Sequence, residues 1–233
     1  MTELIKLPKH VGIIVDGNRR WAKKNNLPTF EGHRRGFVAL KKIIKKAQEL
    51  GLLIITVWGF STENWDRSKE EVKYLMDFFE KMLEDYLKDA LKNEIRIIHL
   101  GRKDRLNKNL REKISEVEEK TNQFKKFYLC VALDYGGQDE IIRAMNKIFI
   151  SHFSFLNLNK ENFRQFLDTK DLPYPNPDLI IRTGGEIRTS GFLIWQTAYS
   201  EYIFVKKYFP DFNEDDFEKC IKEYSKRQRR FGK

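Results

Sequence analysis

Cysteine and long hydrophobic runs are scarce in this chain of 233 residues. The two cysteines, Cys130 and Cys220, form no CxxC pair and have no metal-ligand spacing, so the sequence indicates neither a dithiol redox centre nor a cysteine-bound metal. No apolar run approaches the ~20 residues that span a bilayer, and residues 1–9 lack the apolar stretch of a signal peptide. We therefore expect a protein of the reducing cytoplasm whose membrane contact, at the inner face, is peripheral.

Common phosphate-binding motifs are also missing. The sequence contains no GxxxxGKS/T, no GxGxxG after a predicted strand and no DDxxD on a predicted helix. Its nearest match to the last motif begins at Asp215, where we predict the start of a helix capped by Asn213. These standard phosphate sites are therefore excluded.

Positive charge, in contrast, is in excess. The formal net charge of +10 favours a polyanionic partner: nucleic acid, an anionic membrane surface or a phosphorylated small molecule. The chain has no basic helix with base-reading side chains and no stacking platform, and its arginines cluster after predicted strands. We therefore expect no nucleic-acid binding.

The hydrophobic pattern predicts an α/β fold. Short runs rich in β-branched residues alternate with helical patterns, which predicts a single domain, residues 1–233, with a largely parallel sheet flanked by helices. Ser68 and Glu71 form a capping signature before a helix with an unusually wide apolar arc. The predicted strands cover residues 11–15, 52–60, 95–100, 127–133 and 179–181.

The segments that follow these strands hold the candidate chemistry, because ligands of open parallel sheets bind beyond the carboxyl ends of the strands. Glycines, carboxylates and arginines converge there, in residues 16–20, 61–67, 101–102, 134–137 and 182–186. Asp16 is the first metal-ligand candidate, and Gly17 would let the backbone approach a phosphate; the alternative is that Asp16 only caps the turn or helix that follows.

Several cations in these segments are candidates for binding diphosphate. The planar forks of the arginines suit paired phosphate oxygens. Any single arginine is more often a surface residue, but their placement after different strands favours the phosphate role. His33, near the start of a predicted helix, is either an anion ligand or simply exposed. The arginines concerned are Arg19, Arg20, Arg182 and Arg188.

Longer motifs make the pattern specific. They are HVGIIVDGNRRWAKK from His10, EGHRRG from Glu31, GFSTENWDRS from Gly59, DYGGQDEI from Asp134 and DLIIRTGGEIRTSGFLIWQTAYSEYIF from Asp178. In this order they resemble the cis-prenyltransferases, the undecaprenyl diphosphate synthase family, over nearly the whole chain. The all-helical prenyltransferases are a different class, whose metals need two aspartate-rich motifs that are missing here.

The resemblance implies a fold, a reaction and a cofactor. The expected fold is a central six-stranded sheet with an apolar tunnel for the growing prenyl chain, in a homodimer. The expected reaction joins isopentenyl diphosphate to an allylic diphosphate, farnesyl diphosphate being the expected primer, and yields a long-chain product such as undecaprenyl diphosphate, a precursor of a glycan carrier lipid. The cofactor is Mg²⁺, and membrane contact serves product release.

The resemblance also implies roles for single residues. Asp16 coordinates Mg²⁺, and Glu201 joins that coordination with help across the dimer. Asn64 is a positioning residue or a relay for the C2 proton of isopentenyl diphosphate. The other candidates for directing this proton are Ser61, Asp16 and a diphosphate oxygen. Arg182, Arg188, Thr189 and Ser190 bind the isopentenyl diphosphate, and the C-terminal Arg230-Phe231-Gly232 reaches the partner's site. Residues around the allylic diphosphate are Gly17, Asn18, Arg19, Arg20, Trp21 and His33, and further substrate contacts are Ser61, Thr62, Glu63, Trp65 and Arg67.

Some positions depart from the family pattern. Thr29 stands where many relatives carry an arginine, a contact that is either lost or supplied by Arg34 or Arg35. Further departures are Arg19 for a frequent glycine, Ile187 for a histidine, Gly191 for an asparagine and Gly59 for an alanine. The main rival is a catalytically silent subunit of a two-component enzyme, which the retained Asp16, Arg182, Arg188 and Glu201 disfavour.

Overall fold

The computed structural model describes residues 7–151, 153 and 155–227, so the predicted C-terminal tail at Arg230-Phe231-Gly232 lies outside the described residues. The chain divides into two compact units. Unit 1 comprises Met1–Val57, Asn176–Ser190 and Gln196–Lys233, and unit 2 comprises Trp58–Pro175 and Gly191–Trp195. The single domain over residues 1–233 stays a prediction.

Strands and helices alternate along the chain as the hydrophobic pattern predicts. In order they are β1 (His10–Ile14), α1 (Asn18–Lys24), α2 (Thr29–Glu49), β2 (Ile54–Ser61), α3 (Lys69–Lys92), β3 (Ile95–Leu100), α4 (Lys108–Thr121), β4 (Phe127–Tyr135), α5 (Gly137–Ile150), α6 (Lys160–Phe163), β5 (Leu179–Arg182), β6 (Glu201–Phe204) and α7 (Glu214–Ser225). Short 3₁₀ helices lie at Thr62–Asp66, Phe155–Asn157, Arg164–Phe166 and Phe209–Asp211.

The six strands form one sheet in the order β3-β4-β2-β1-β5-β6. The pairs β1 with β5, β5 with β6, and β3 with β4 are parallel. The prediction of a largely parallel six-stranded sheet flanked by helices is confirmed. The sixth strand, β6, was not located from the sequence, because its four residues show no burial alternation strong enough to mark a strand.

Unit 1 places the carboxyl ends of its strands level with one another. Ile14 of β1 lies beside Arg182 of β5, which lies beside Phe204 of β6. Helix α2 buries an apolar stripe, Ala39, Leu40, Ile43, Ile44 and Ala47, and ends where Gly51 adopts a φ of 75°. The residues that follow β1 and β5 therefore emerge side by side.

Unit 2 contains the helix with the wide apolar arc. Ser68 caps α3 by accepting a hydrogen bond from Glu71 N at 3.2 Å, as predicted. The buried side of α3 carries Val72, Leu75, Met76, Phe79, Leu83, Tyr86, Leu87 and Ala90.

An apolar cavity lined by residues of α3, α4, β3 and β4 has a volume of about 10 Å³, which is room for a single water. The apolar tunnel therefore stays a prediction. None of the helices in the described ranges combines the length and apolarity that a bilayer crossing needs.

Candidate active site

Asp16 sits in a rigid turn directly after β1. Its own N–H bonds to Ile14 O at 2.9 Å, and its carbonyl accepts from Thr183 Oγ1 at 2.8 Å and from Phe209 N at 3.1 Å. Gly17 follows with a φ of 104°, and a Cβ there would come within 2.6 Å of the ring of Tyr208. Only glycine fits this turn, which explains the Asp-Gly pair of the sequence motif.

The Asp16 carboxylate lies between two arginines. Arg20, one turn further along α1, donates to Oδ1 at 3.0 Å, and Arg182, at the end of β5, donates to Oδ2 at 2.9 Å. Burial raises the pKa of Asp16, but the hydrogen bonds and charges of Arg182 and Arg20 outweigh it and hold the pKa below its usual value. Asp16 is therefore an anion held by two cations.

Arg182 also organises the loop that follows β5. Its side chain is only 6% exposed, and it donates through Nη1 to Arg188 O and to Ser190 Oγ, the latter at 3.0 Å. Ser190 adopts a φ of 50°, while Thr189 beside it is partly buried. One guanidinium thus joins the metal-ligand candidate to the predicted isopentenyl diphosphate residues.

A second carboxylate, which the sequence interpretation missed, lies among the same cations. Glu186 pairs with Arg20 at 3.1 Å and with Arg188 at 2.6 Å, and the guanidinium of Arg20 lies 5.3 Å from the centre of the Tyr208 ring. Glu186 belongs to the GGE motif after β5, so its place at the strand end was a usable signal. Tyr208 gave no signal, because it comes after the edge strand β6 in a segment without a motif.

Two glycines of the EGHRRG motif bring α2 against the start of α1. A Cβ on Gly32 would lie 2.1 Å from Asn18 O, and one on Gly36 would lie 2.6 Å from Asn18 Oδ1. His33 lies between these glycines, partly buried and just past the first turn of α2 rather than at its start. Trp21 of α1 donates from Nε1 to Asp211 at 2.7 Å. The predicted Asn18, Trp21 and His33 are thus held on two closely packed helices.

A basic cavity opens beside α1. Its volume is about 520 Å³, and no carboxylate contributes to its lining. Arg19 and Lys23 supply positive charge next to Thr29, while Arg34 is engaged with Glu31 on α2. The lining residues are Arg19, Arg20, Lys23, Leu27, Pro28 and Thr29.

Glu201 does not join Asp16 within one chain. The strand register places Glu201 level with Leu179 and Val11, at the amino ends of the strands. Asp16 comes five residues after Val11, which corresponds to roughly 16 Å along the strand direction. Glu201 instead accepts a hydrogen bond from Arg227 at 2.9 Å.

The other predicted residues lie in unit 2, on the 3₁₀ helix after β2. Asn64 Oδ1 accepts from Ser61 N at 3.2 Å, which leaves the Asn64 amide group as a donor. Thr62 Oγ1 bonds to Glu63 at 2.8 Å, and Glu63 itself is exposed. Trp65 donates to Asp134 at 2.8 Å. Arg67 pairs with Glu71 at 3.0 Å, which makes its observed role a link to the first turn of α3.

The side chains after β3 and β4 are paired with one another. Arg102 bonds to Asp104 and Asp139, and Arg143 bonds through two nitrogens to Asp168 at 2.7 and 2.6 Å. Each guanidinium in these partly exposed pairs is balanced by carboxylates of the chain itself. The observed partners of Arg102 are thus carboxylates, and the phosphate chemistry of residues 101–102 and 134–137 stays a prediction.

The donor set fits Mg²⁺ only in combination with a phosphate ligand. Among the described residues, no group of three or more His, Cys, Asp or Glu side chains could hold a metal ion. Mg²⁺ in phosphate-handling sites is typically bound through one or two carboxylates, substrate phosphates and water. Asp16 offers one such carboxylate, and the guanidinium groups of Arg20 and Arg182 beside it suit phosphate oxygens.

Comparison with known proteins identifies the family. Residues 14–232 match the prenyltransferase family described as "Putative undecaprenyl diphosphate synthase". The chain is 48% identical to an isoprenyl transferase of Thermotoga maritima over 98% of each chain. It is 45% identical to a tritrans,polycis-undecaprenyl-diphosphate synthase (geranylgeranyl-diphosphate specific) of Pyrococcus furiosus, over 97% of this chain and 88% of the relative.

A solved structure agrees in fold. The crystal structure of lavandulyl diphosphate synthase from Lavandula x intermedia in complex with dimethylallyl diphosphate superposes with a TM-score of 0.94 at 36% identity, covering 97% of this chain and 99% of that one. A match over nearly the whole length, in sequence and in fold, together with an aspartate set between two arginines, leads to one conclusion. The chain belongs to the undecaprenyl diphosphate synthase family of prenyltransferases.

Proposed function

We propose that this chain is a Mg²⁺-dependent cis-prenyltransferase that condenses isopentenyl diphosphate with an allylic diphosphate to make a long-chain polyprenyl diphosphate. The observation that carries the proposal is the Asp16 carboxylate held by Arg20 and Arg182 at the carboxyl ends of β1 and β5. Relatives named for polyprenyl synthesis, and a structural neighbour solved with dimethylallyl diphosphate, support it.

The arginines exchange partners when substrate binds. Without substrate, Arg20 and Arg182 neutralise Asp16, and a diphosphate offers the same guanidinium groups more negative oxygens in a geometry that suits their planar forks. The Asp16 oxygens would then be available to hold Mg²⁺, which when bound would stabilise the charge on the leaving diphosphate.

The bond changes in the proposed reaction are as follows. The C1–O bond of the allylic diphosphate breaks and the diphosphate leaves with the electron pair, while the double bond of isopentenyl diphosphate supplies the pair for the new C–C bond. Loss of the C2 proton then forms the new cis double bond. Arg20, Arg182 and Arg188 face the growing negative charge, which is where fixed cations contribute most.

The proton acceptor is a diphosphate oxygen in this scheme. Asn64 is a neutral amide whose Oδ1 already accepts from Ser61 N, so it positions a substrate group rather than acting as a base. The lowered pKa of Asp16 makes that carboxylate a weak base as well. The released diphosphate is the remaining basic group that the reaction itself supplies.

The basic cavity beside α1 receives the allylic diphosphate. Arg19, Arg20 and Lys23 line it, so an anion of two or more charges is attracted there. We assign Arg182, Arg188 and Ser190 to the isopentenyl diphosphate, since they form one bonded group after β5. Product leaves through peripheral contact with a membrane.

A homodimer completes the metal site. Because Glu201 lies at the amino ends of the strands, it can reach an Asp16 only from a partner subunit. Mixing inactive Asp16→Ala chains with inactive Glu201→Gln chains is expected to restore about a quarter of the wild-type activity, because half of the dimers then hold one intact site of two. No recovery, with exchange of subunits verified, would remove Glu201 from the site.

The direct test is incubation of the protein with labelled isopentenyl diphosphate, Mg²⁺ and either farnesyl or geranylgeranyl diphosphate. We expect chelator-sensitive incorporation, with farnesyl diphosphate the better primer and undecaprenyl diphosphate the product. A preference for geranylgeranyl diphosphate would correct the primer and leave the reaction standing. If no primer supports any incorporation, the chain is a silent subunit and the proposal is contradicted.

A further inference from the structure

A buried carboxylate ties together the segments that follow β2, β3 and β4 in unit 2. Asp134, near the end of β4, has no exposed surface and adopts a φ of 51°. Its Oδ1 accepts from Trp65 Nε1 at 2.8 Å, and its Oδ2 accepts from Arg105 Nε at 2.9 Å. A second nitrogen of Arg105 also bonds Oδ1. We name these three residues the Trp65 clamp.

The clamp holds the indole ring by both edge and face. The guanidinium of Arg105 lies 5.5 Å from the centre of the Trp65 ring, within the range of a cation–π contact, while the carboxylate of Asp134 takes the ring N–H. Phe60 of β2 packs edge-on against the ring at 5.3 Å. A buried carboxylate needs its cation, so removing either partner leaves an uncompensated group and frees the ring.

The backbone around Asp134 is equally constrained. Asp134 O accepts from Arg102 N at 3.0 Å, and a Cβ on Gly101 would lie 2.8 Å from that oxygen. On the other side, a Cβ on Gly136 would lie 2.3 Å from Thr62 Oγ1, so the turn after β4 packs directly on the 3₁₀ helix Thr62–Asp66. The position of this helix is thus set by the β3 and β4 turns.

We propose that Arg105 and Asp134 are positioning residues for the condensation step. They fix Trp65, and through it the 3₁₀ helix Thr62–Asp66 that presents Asn64, without contacting substrate themselves. The inference rests on the proposed function, in which Asn64 positions a substrate group. Neither residue belongs to the groups that bind metal or diphosphate in unit 1.

Arg105→Gln tests the proposal, with Arg96→Gln as its matched control. Arg96 also lies over a ring, that of Tyr128 at 5.9 Å, but near the amino end of β3. We expect Arg105→Gln to lower kcat about tenfold while the KM for the primer changes less than about twofold, because misplaced groups slow the chemical step. Arg105→Lys, which keeps the ion pair, recovers part of the loss, and Arg96→Gln leaves both constants unchanged.

A second readout follows the ring itself. The Trp65 indole N–H resonance in a ¹⁵N–¹H spectrum, assigned with Trp65→Phe, reports the hydrogen bond to Asp134. Arg105→Gln is expected to shift this resonance and speed its exchange with water, whereas Arg96→Gln leaves it in place. Asp134→Asn keeps an acceptor for Trp65 but removes the charge, and it is expected to change the Trp65 resonance in the same direction. This variant replaces Arg105→Gln in the test if Arg105→Gln does not fold.

The outcomes separate the inference from the function on which it rests. A folded Arg105→Gln protein with wild-type kcat, or with reduced kcat and an unmoved Trp65 resonance, overturns the positioning role. If the wild-type protein incorporates no isopentenyl diphosphate, the proposed function fails, and the positioning role for condensation fails with it. The Trp65 resonance still decides in that case whether Arg105 and Asp134 fix the ring.

Discussion

Arg182 donates to Asp16 Oδ2 across 2.9 Å, from the end of β5 to the turn after β1. The pairing follows from the register, in which Ile14 lies beside Arg182. Because the Arg182 side chain is only 6% exposed, the contact is not a loose surface ion pair. In the proposed function, the same guanidinium that neutralises the carboxylate is the one that a diphosphate must capture.

The ionisation of Asp16 gives a pH prediction. Its pKa lies below the usual value because the hydrogen bonds of Arg182 and Arg20 outweigh the effect of burial. Its contribution to stability is thus present above the pKa of the unfolded chain, about 3.9, and is lost as the pH falls through the lower folded pKa. Arg20→Gln is expected to raise the pKa of Asp16, followed by carboxyl ¹³C NMR; an unchanged pKa would contradict the role of Arg20.

Two glycines with positive φ allow the energetic cost of backbone strain to be distinguished from that of steric crowding. Gly17 has a φ of 104° and would place a Cβ 2.6 Å from Tyr208, whereas Gly51 has a φ of 75° and open space around it. Gly51→Ala is expected to lower the free energy of unfolding by about 1 kcal/mol. Gly17→Ala is expected to cost clearly more in urea denaturation and to disturb Asp16. Equal decreases in the free energy of unfolding for the two variants would show that steric contact with Tyr208 adds nothing to the cost of a Cβ at position 17.

The partly buried His99 predicts lower stability in mild acid. Burial, helped by the charge of Lys103, lowers the pKa of His99 to about 4. The unfolded chain binds this proton near pH 6.5 and the folded chain does not, so stability is lost as the pH falls between these values. Between pH 7 and pH 5 the loss from His99 is about 2 kcal/mol. His99→Gln should flatten the stability curve by that amount, and parallel curves would refute the assignment.

The cysteines are expected to be unreactive in the folded protein. Cys130 has no exposed surface, and burial raises the pKa of the Cys220 thiol to about 12. The thiolate that attacks a disulfide reagent is therefore scarce and inaccessible at pH 8. Both thiols should react with Ellman's reagent only at the rate of unfolding. Rapid labelling of the native protein would show that the α7 packing around Cys220 opens without unfolding.

The sequence predicted the parts of the fold that depend on local patterns. The ends of the strands could be predicted because apolar runs of β-branched residues stop there, and the candidate site residues follow these ends. The helix caps Ser68 and Asn213 could be predicted because their side chains bond to backbone N–H groups of the first helical turn. The family resemblance added Glu201, but only the strand register shows that it lies at the opposite end of the strands from Asp16 in one chain.

Contacts between distant segments could not be predicted in this way. Glu186 bonds to Arg20 over 166 positions in sequence, and no period or motif encodes that pairing. Likewise, Gly32 and Gly36 looked like motif residues, whereas their role is to let α2 approach Asn18 closely. Such roles depend on the packing of whole elements, which local sequence does not contain.

The central claim is that Asp16 carries the metal-dependent chemistry, and Asp16→Asn tests it most directly. Asp216→Asn is the matched control, since Asp216 also pairs with a cation, Lys207, at 2.7 Å in the same unit. Isopentenyl incorporation should be measured for both variants and the wild type across a Mg²⁺ titration. We expect Asp16→Asn to lose about a thousandfold in kcat/KM, the equivalent of several kcal/mol of charge stabilisation, while Asp216→Asn stays near wild type. An Asp16→Asn protein that keeps most of the Mg²⁺-dependent activity would contradict the account.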